Sequence, residues 1–193
     1  MISAMLLAAG ESRRMGDFKQ LLTIDGKTFV ECCVDNLLRS RVDEVVVVTG
    51  HREQDVRRAI GDRPVQFIYN SDYRAGMSSS IKRGAESLSK DARACLIALA
   101  DQPLISADVI NRVIEEYEKN QSLIVIPTFE GRNGHPVILD LKLKEEILSM
   151  DPAQGLRQVV QAHASETLRV AVSEEAVLID FDLPEDYRRI SNQ

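Results

Sequence analysis

What most constrains this chain is a rhythm: short, almost wholly apolar runs alternate with longer amphipathic stretches along its whole length. SAMLLA near the start, EVVVVTG up to Gly50, ACLIALAD up to Asp101 and SLIVIP up to Pro127 are each too short for a typical helix. Within them apolar residues follow one another instead of alternating with polar ones. Such runs belong to strands covered on both faces, as parallel strands between helical layers are. Between them, TFVECCVDNLLRS, EQDVRRAIG and ADVINRVIEEYEKN place apolar residues at helical spacing.

The punctuation agrees with that reading. Thr28 and Ser106 stand where N-caps are expected, and Gly61 closes the second helix. PVQFIYN reads as a strand, and Ser78 to Leu88 as a helix with Ser78 as its cap. FEGRNGHPVIL predicts a hairpin turned by Gly131 and Asn133–Gly134. LKLKEEIL and GLRQVVQAHA predict helices, TLRVAV and AVLIDF strands, and Pro184 opens a last helix, EDYRRI. Repeated β–α alternation predicts an α/β, three-layer αβα Rossmann-like fold with a mostly parallel sheet. With no linker, repeat or low-complexity tract, residues 1–193 read as one domain.

Composition narrows the function. A chain of 193 residues, 44% hydrophobic, buries roughly 70% of its unfolded surface and needs no staples. A net charge of −6 argues against a general nucleic-acid or anionic-membrane binder. Cys32, Cys33 and Cys95 cannot all pair and show no zinc or redox spacing, so they read as reduced core thiols. MISAMLLAAG lacks a basic leader, turns polar at Glu11 and is too short to span a bilayer. It reads as a buried strand, and the protein as cytoplasmic.

In folds of this class ligands bind at the carboxyl ends of the strands. After the first strand comes Gly10-Glu11-Ser12-Arg13-Arg14-Met15-Gly16-Asp17-Phe18-Lys19. Gly10 and Gly16 allow the backbone to turn N–H groups toward an anion, and three cations within ten residues suit a polyphosphate. The spacing is neither GxxxxGK[ST] nor GxGxxG. Composition alone leaves an ordinary basic surface loop equally open.

The string LAAG-x-S-x-R-M-G-x-x-K resembles the signature of the MobA-like NTP transferases, and within them the molybdenum cofactor cytidylyltransferase group. The resemblance continues in Asn70-Ser71-Asp72-Tyr73-Arg74-Ala75-Gly76-Met77-Ser78-Ser79-Ser80, similar to an acceptor and nucleotide loop. It continues in Leu99-Ala100-Asp101-Gln102-Pro103-Leu104, similar to a metal motif, and in the Gly-His-Pro of Gly134-His135-Pro136. Asp180-Phe181-Asp182-Leu183-Pro184-Glu185-Asp186-Tyr187 resembles the group's closing Asp-x-Asp-Thr-Pro-Glu-Asp-Tyr, with Leu183 in place of threonine.

The resemblance implies the nucleotide-diphospho-sugar transferase fold and Mg²⁺ held by Asp101 and Asp182, with Asp180 as the alternative second acid. It implies nucleotide contacts from Leu7, Ala8, Ala9, Gly10, Arg14, Lys19 and Ser79, and acceptor contacts from Gly76, Met77, Ser78 and His135. Lys19, Arg14 and Asp101 would be catalytic, Arg13 only supporting, and His135 would position the acceptor or shape its loop. The implied partners are CTP, molybdopterin or its molybdenum-bound form, and a molybdenum hydroxylase apo-enzyme, with neither nucleic acid nor membrane.

The implied reaction transfers CMP from CTP to the pterin phosphate and releases pyrophosphate, without a general base because the acceptor is already an anion. Two other readings stand beside it: the same chemistry on a sugar or polyol phosphate, and a non-catalytic carrier of the pterin cofactor. Ala9 stands where the guanosine-using relatives carry glycine, so the base expected is a pyrimidine.

Overall fold

In the computed structural model, residues 1–13, 15–181 and 183–191 are described, the side chains of Pro184, Arg189, Ile190 and Ser191 excepted. The centre of the fold is β1 (Ile2–Ala8), every residue of which is buried. Its even-numbered side chains Ile2, Ala4, Leu6 and Ala8 enter one core layer, and Met5 and Leu7 enter the other. That is why the strand carries no polar alternation: both of its faces are covered. β4 (Glu44–Thr49) and β6 (Ala94–Leu99) flank it in parallel, with Ala8 level with Thr49 and Leu7 level with Leu99. The carboxyl ends of the three central strands therefore finish at one level.

Among the described residues, eight strands form the main sheet in the order β10-β7-β9-β6-β1-β4-β5, with β8 paired to β7. β5 is Gln66–Tyr69, β7 Ile124–Phe129, β8 Arg132–Asn133, β9 Val137–Asp140 and β10 Thr167–Ala171. The pairs β1–β4, β1–β6, β4–β5 and β7–β10 are parallel, whereas β9 runs antiparallel between β6 and β7. A small hairpin, β2 (Thr23–Ile24) with β3 (Lys27–Thr28), stands apart from this sheet.

One layer holds α1 (Phe29–Arg39), α2 (Glu53–Ile60) and α4 (Ala107–Asn120), which contribute Val34, Val56 and Ile114 to one core. The opposite layer holds α3 (Met77–Ser87), α5 (Lys144–Ser149) and α6 (Leu156–Ala162), with Ile81, Ile147 and Val159. A last helix, α7 (Pro184–Ser191), follows. Thr28 caps α1 in a capping box with Glu31, and Ser106 caps α4, as their positions predict. No helix of the described residues is long and apolar enough to cross a membrane.

Three expectations are corrected. AVLIDF is not a strand: Glu175–Leu178 is a 3₁₀ turn, and its surroundings bond to loops, not to a ladder. The Val177 carbonyl accepts from the His135 N–H at 3.0 Å, and the Phe181 N–H donates to the Asp101 carbonyl at 3.3 Å. Val177 and Leu178 pack on the main core, whereas Ile179 and Phe181 fill a small cluster beside the sheet, with Phe181 against Phe29. The hairpin at 129–132 turns at Glu130–Gly131, both at positive φ, and not at Asn133–Gly134. Gly134 donates to the Pro127 carbonyl as the chain leaves for β9. Ser78 does not cap α3, because that helix begins one residue earlier with Gly76 at its cap, and the Ser78 hydroxyl donates to the Pro152 carbonyl at 3.2 Å.

Candidate active site

Because β1, β4 and β6 end at one level, the loops after β1 and β6 meet, and the loop leading into α3 closes the other side. Between them lies a cleft of about 250 Å³. Leu7, Ala9, Gly10, Lys19, Asp101 and Met77 line it, and each was singled out in the sequence. The Lys19 ammonium forms an ion pair with one carboxylate oxygen of Asp101, joining groups 82 residues apart. The other oxygen of Asp101 is buried and has no hydrogen-bond partner among the described residues.

The first loop is held in place by its own side chains. Ser12 accepts from the Lys19 backbone N–H at 3.1 Å and donates to Gln20 Oε1 at 3.0 Å. Gln20 Nε2 donates to the Gly10 carbonyl at 3.2 Å. Gln20 is buried, so these bonds fix the loop's curvature where a triphosphate would lie. Met15 anchors the loop's far side in a cluster with Phe29 and Phe181.

On the other wall, the buried Asn70 amide donates to Ser79 Oγ at 2.9 Å and Ser80 Oγ at 3.0 Å, and its Oδ1 accepts from the Asp72 N–H at 3.0 Å. Tyr73 packs across Gly50 so closely that a Cβ on that glycine would sit 2.7 Å from the Tyr73 Cβ. Only glycine fits at that approach.

The other sequence-selected residues are distributed as follows. Ala8 is buried on the α1 side of the sheet. Gly76 lines the cleft, whereas the Ser79 hydroxyl donates to the Asp72 and Gly76 carbonyls and Ser80 turns toward the cleft instead. Ser78 is buried against Pro152. His135 lies within the electrostatic reach of both Asp101 and Asp180; burial holds its imidazole below the usual range against the pull of those two acids. Arg14 and Asp182 lie outside the described residues. Burial raises all three thiols, Cys95 to about 12, so none is a thiolate near neutrality.

Gln20 and His51 went unread in the sequence as site residues, and Tyr73 and Ser80 were read only as members of the acceptor and nucleotide loop. Gln20 sits inside an apolar-looking FKQLL, and its role depends on two loops folding back on it. His51 did carry a signal, since it follows Gly50 directly after a buried strand. Its ring packs edge-on to Phe18 with centroids 5.6 Å apart and lies 6.2 Å from Tyr73, bridging the two walls.

Among the described residues no three His, Cys, Asp or Glu side chains gather as a metal cluster. A cation here would be held by one or two carboxylates and by substrate phosphates, the arrangement Mg²⁺ favours, and the orphaned Asp101 oxygen fits it.

A basic loop beside an acid at the carboxyl ends of parallel strands defines a class: α/β proteins with a charged cleft where such folds bind their ligands. Residues 4–167 match the MobA-like NTP transferase domain, and the chain belongs to that family. It is 21% identical over 187 residues to the molybdenum cofactor cytidylyltransferase of Escherichia coli K12, covering 96% of this chain and 93% of that protein. It is 30% identical over 154 residues to nicotine blue oxidoreductase of Paenarthrobacter nicotinovorans, covering 77% and 75%. The chain spans about a third of the length of the bifunctional protein GlmU of Staphylococcus saprophyticus: 30% identity over 140 residues covers 70% of this chain and 31% of that protein. In structure it is similar to Rv0371c of Mycobacterium tuberculosis H37Rv, with a TM-score of 0.86 at 23% identity over 100% of this chain and 98% of that one. Against the manganese complex of Rv0371c the TM-score is 0.80 at 21% identity, over the same shares of the two chains.

Proposed function

We propose that the protein is a Mg²⁺-dependent nucleotidyltransferase that transfers CMP from CTP to the phosphate of molybdopterin, with or without bound molybdenum. The products are the cytosine dinucleotide cofactor and pyrophosphate. The observation that carries this reading is the pairing of Lys19 with one oxygen of Asp101 while the other oxygen is buried without a donor among the described residues. A buried acceptor left unpaired costs about 1–3 kcal/mol, which a fold retains when a ligand supplies the partner. Support for a divalent cation comes also from the manganese complex of the structurally similar Rv0371c. Support for CTP and the pterin comes from the cytidylyltransferase that this chain resembles over nearly its whole length.

Asp101 would hold the cation together with Asp182, or with Asp180, which shares the neighbourhood of His135 with Asp101. When bound, the cation supplies charge neutralisation to the phosphates. Lys19 and Arg14 neutralise the triphosphate and the departing pyrophosphate. An oxygen of the pterin phosphate forms the new bond to the α-phosphorus as the bond to the bridging oxygen breaks, and pyrophosphate leaves with the electron pair. The acceptor oxygen is already anionic, so no side chain has to remove a proton. His135, kept neutral by burial, shapes the acceptor end of the cleft.

The test is pyrophosphate release with each of the four nucleoside triphosphates, with and without molybdopterin, and with a sugar phosphate as comparison acceptor. Release with CTP that depends on molybdopterin is expected. Preference for GTP would sink the cytidylyl assignment, and release with the sugar phosphate alone would move the acceptor. Binding of molybdopterin with no release under any condition would make the protein a carrier.

A further inference from the structure

A second lobe of about 330 Å³ opens outward from the cleft, and Gly10, Lys19, Tyr73 and Gly76 line both spaces. Among the described residues its charged side chains are Glu11, Arg13, Lys19 and Arg74. Glu11 Oε2 accepts from Arg13 Nε at 2.8 Å and Nη2 at 2.5 Å, while Glu11 Oε1 accepts from Arg74 Nε at 3.3 Å. One carboxylate therefore carries two guanidiniums that come from opposite walls, 63 residues apart in the case of Arg74. The Arg74 guanidinium also lies over the Tyr73 ring, 5.5 Å from its centroid.

Both arginine side chains are widely open to solvent, 75% and 71%, whereas that of Glu11 is only 19% exposed. Ion pairs with so exposed a partner contribute little to stability. Two guanidiniums against one acid, in an otherwise acidic protein, leave a local positive excess beside the Lys19 ammonium, which itself pairs with Asp101. Planar guanidinium forks with unused N–H groups match the oxygens of a phosphate better than those of any neutral ligand.

We infer that Arg74 contacts the terminal phosphates of the nucleotide, closing on them with Arg13 as a clasp that Glu11 holds ready and a polyphosphate displaces. This rests on the nucleotidyl-transfer reading and adds a phosphate-binding residue from the second wall. A chain entering the inner cleft with its nucleoside end and passing Lys19 brings its outer phosphates into this lobe. Glu11, a like charge, competes with them for the same two guanidiniums.

Calorimetric titration of the full chain with inorganic pyrophosphate in the presence of Mg²⁺ tests the clasp. Arg74→Ala should weaken binding about tenfold, the loss of one charge-assisted hydrogen bond, and Arg74→Lys should weaken it less. Glu11→Gln should tighten binding severalfold, because the competitor loses its charge. Circular dichroism melts of each variant serve as the control for folding. Unchanged affinity in Arg74→Ala, or a loss in Glu11→Gln as large as in Arg74→Ala, overturns the clasp. Lys19→Ala separates the two readings. If it loses pyrophosphate and Arg74→Ala does not, only the clasp fails. If the wild type does not bind pyrophosphate at all, the nucleotidyl-transfer reading falls with it.

Discussion

The two walls of the cleft are built by different means. The first, Gly10 to Gln20, is pinned at three points: Gln20 beneath it, Ser12 within it, and Met15 in the cluster with Phe29 and Phe181. The second, Asn70 to Ser80, hangs largely from one buried amide and from the close passage of Tyr73 over Gly50. A wall with several independent anchors keeps its shape when one is lost. A wall with one main anchor concentrates its geometry in that residue. The first arrangement suits a seat for a triphosphate, which must be met by fixed donors; the second suits an acceptor site along its inner part, with Arg74 at its outer edge left to reach the phosphates.

The largest effect is expected where the walls share a floor. Asp101→Asn removes the charge that pairs with Lys19 and that would hold the cation. Turnover should fall on the order of a hundredfold or more, roughly 3 kcal/mol of lost electrostatic contact. The melting temperature should stay close to wild type, since Asp101 lies beyond the end of β6. Turnover near wild type at saturating Mg²⁺ would take Asp101 out of the chemistry.

Next comes the comparison itself. Asn70→Ala leaves two serine hydroxyls and an N–H without their shared partner, at a cost of about 1–3 kcal/mol, and should raise the KM for the acceptor. Gln20→Ala should cost a similar amount but act on the KM for the nucleotide. Steady-state kinetics varying each substrate in turn separates the two; if both variants moved the same constant, the division of labour between the walls would be lost.

A smaller effect is expected at Ala9, which is buried at the end of β1 and lines the cleft. One methyl group carries about 1–3 kcal/mol of discrimination at most, shared with its neighbours. Ala9→Gly should loosen the preference for CTP over GTP without reversing it, as competition assays with both nucleotides would show.

The smallest effect lies far from the cleft. His163 is bonded to Glu166 and Glu146, and those two carboxylates raise its imidazole above the usual range. A raised folded value means that the contribution to stability is complete below the unfolded value, about 6.5, and fades as pH rises through the folded one. His135 has the opposite sign: burial lowers it, so its contribution is complete above the unfolded value and is lost as pH falls through the folded one. His163→Gln should therefore lower the melting temperature on the acid side of the imidazole range, flatten the wild type's fall as pH rises, and leave the alkaline value and the limb from His135 in place. Melts across that range read both limbs.

The α/β architecture was legible because β1, β4 and β6 are apolar on both faces, a pattern that few other environments explain. Two residues of the site's floor were legible too: Asp101 because it follows a buried strand closely, and Lys19 because it closes the basic loop after the first strand. AVLIDF was misread for a matching reason: Val177 and Leu178 pack on the main core, Ile179 and Phe181 on a small cluster beside the sheet, and apolar content alone does not say what does the covering. The partition of GMSSS was equally hidden. Which of Ser78, Ser79 and Ser80 faces the cleft is decided by where α3 starts and by Asn70, ten residues from Ser80.

By itself, the order of residues determined the layers, the direction of most strands, the caps at Thr28 and Ser106, and which loops carry charge. These depend on local periodicity and on nearby hydrogen bonds. Only the tertiary structure decided that β9 runs antiparallel between β6 and β7, that Lys19 meets Asp101, and that Glu11 meets Arg74. Each of those is a contact between distant segments. Its existence depends on how the whole chain shares out its buried surface and its backbone hydrogen bonds, and no short window of sequence holds that information.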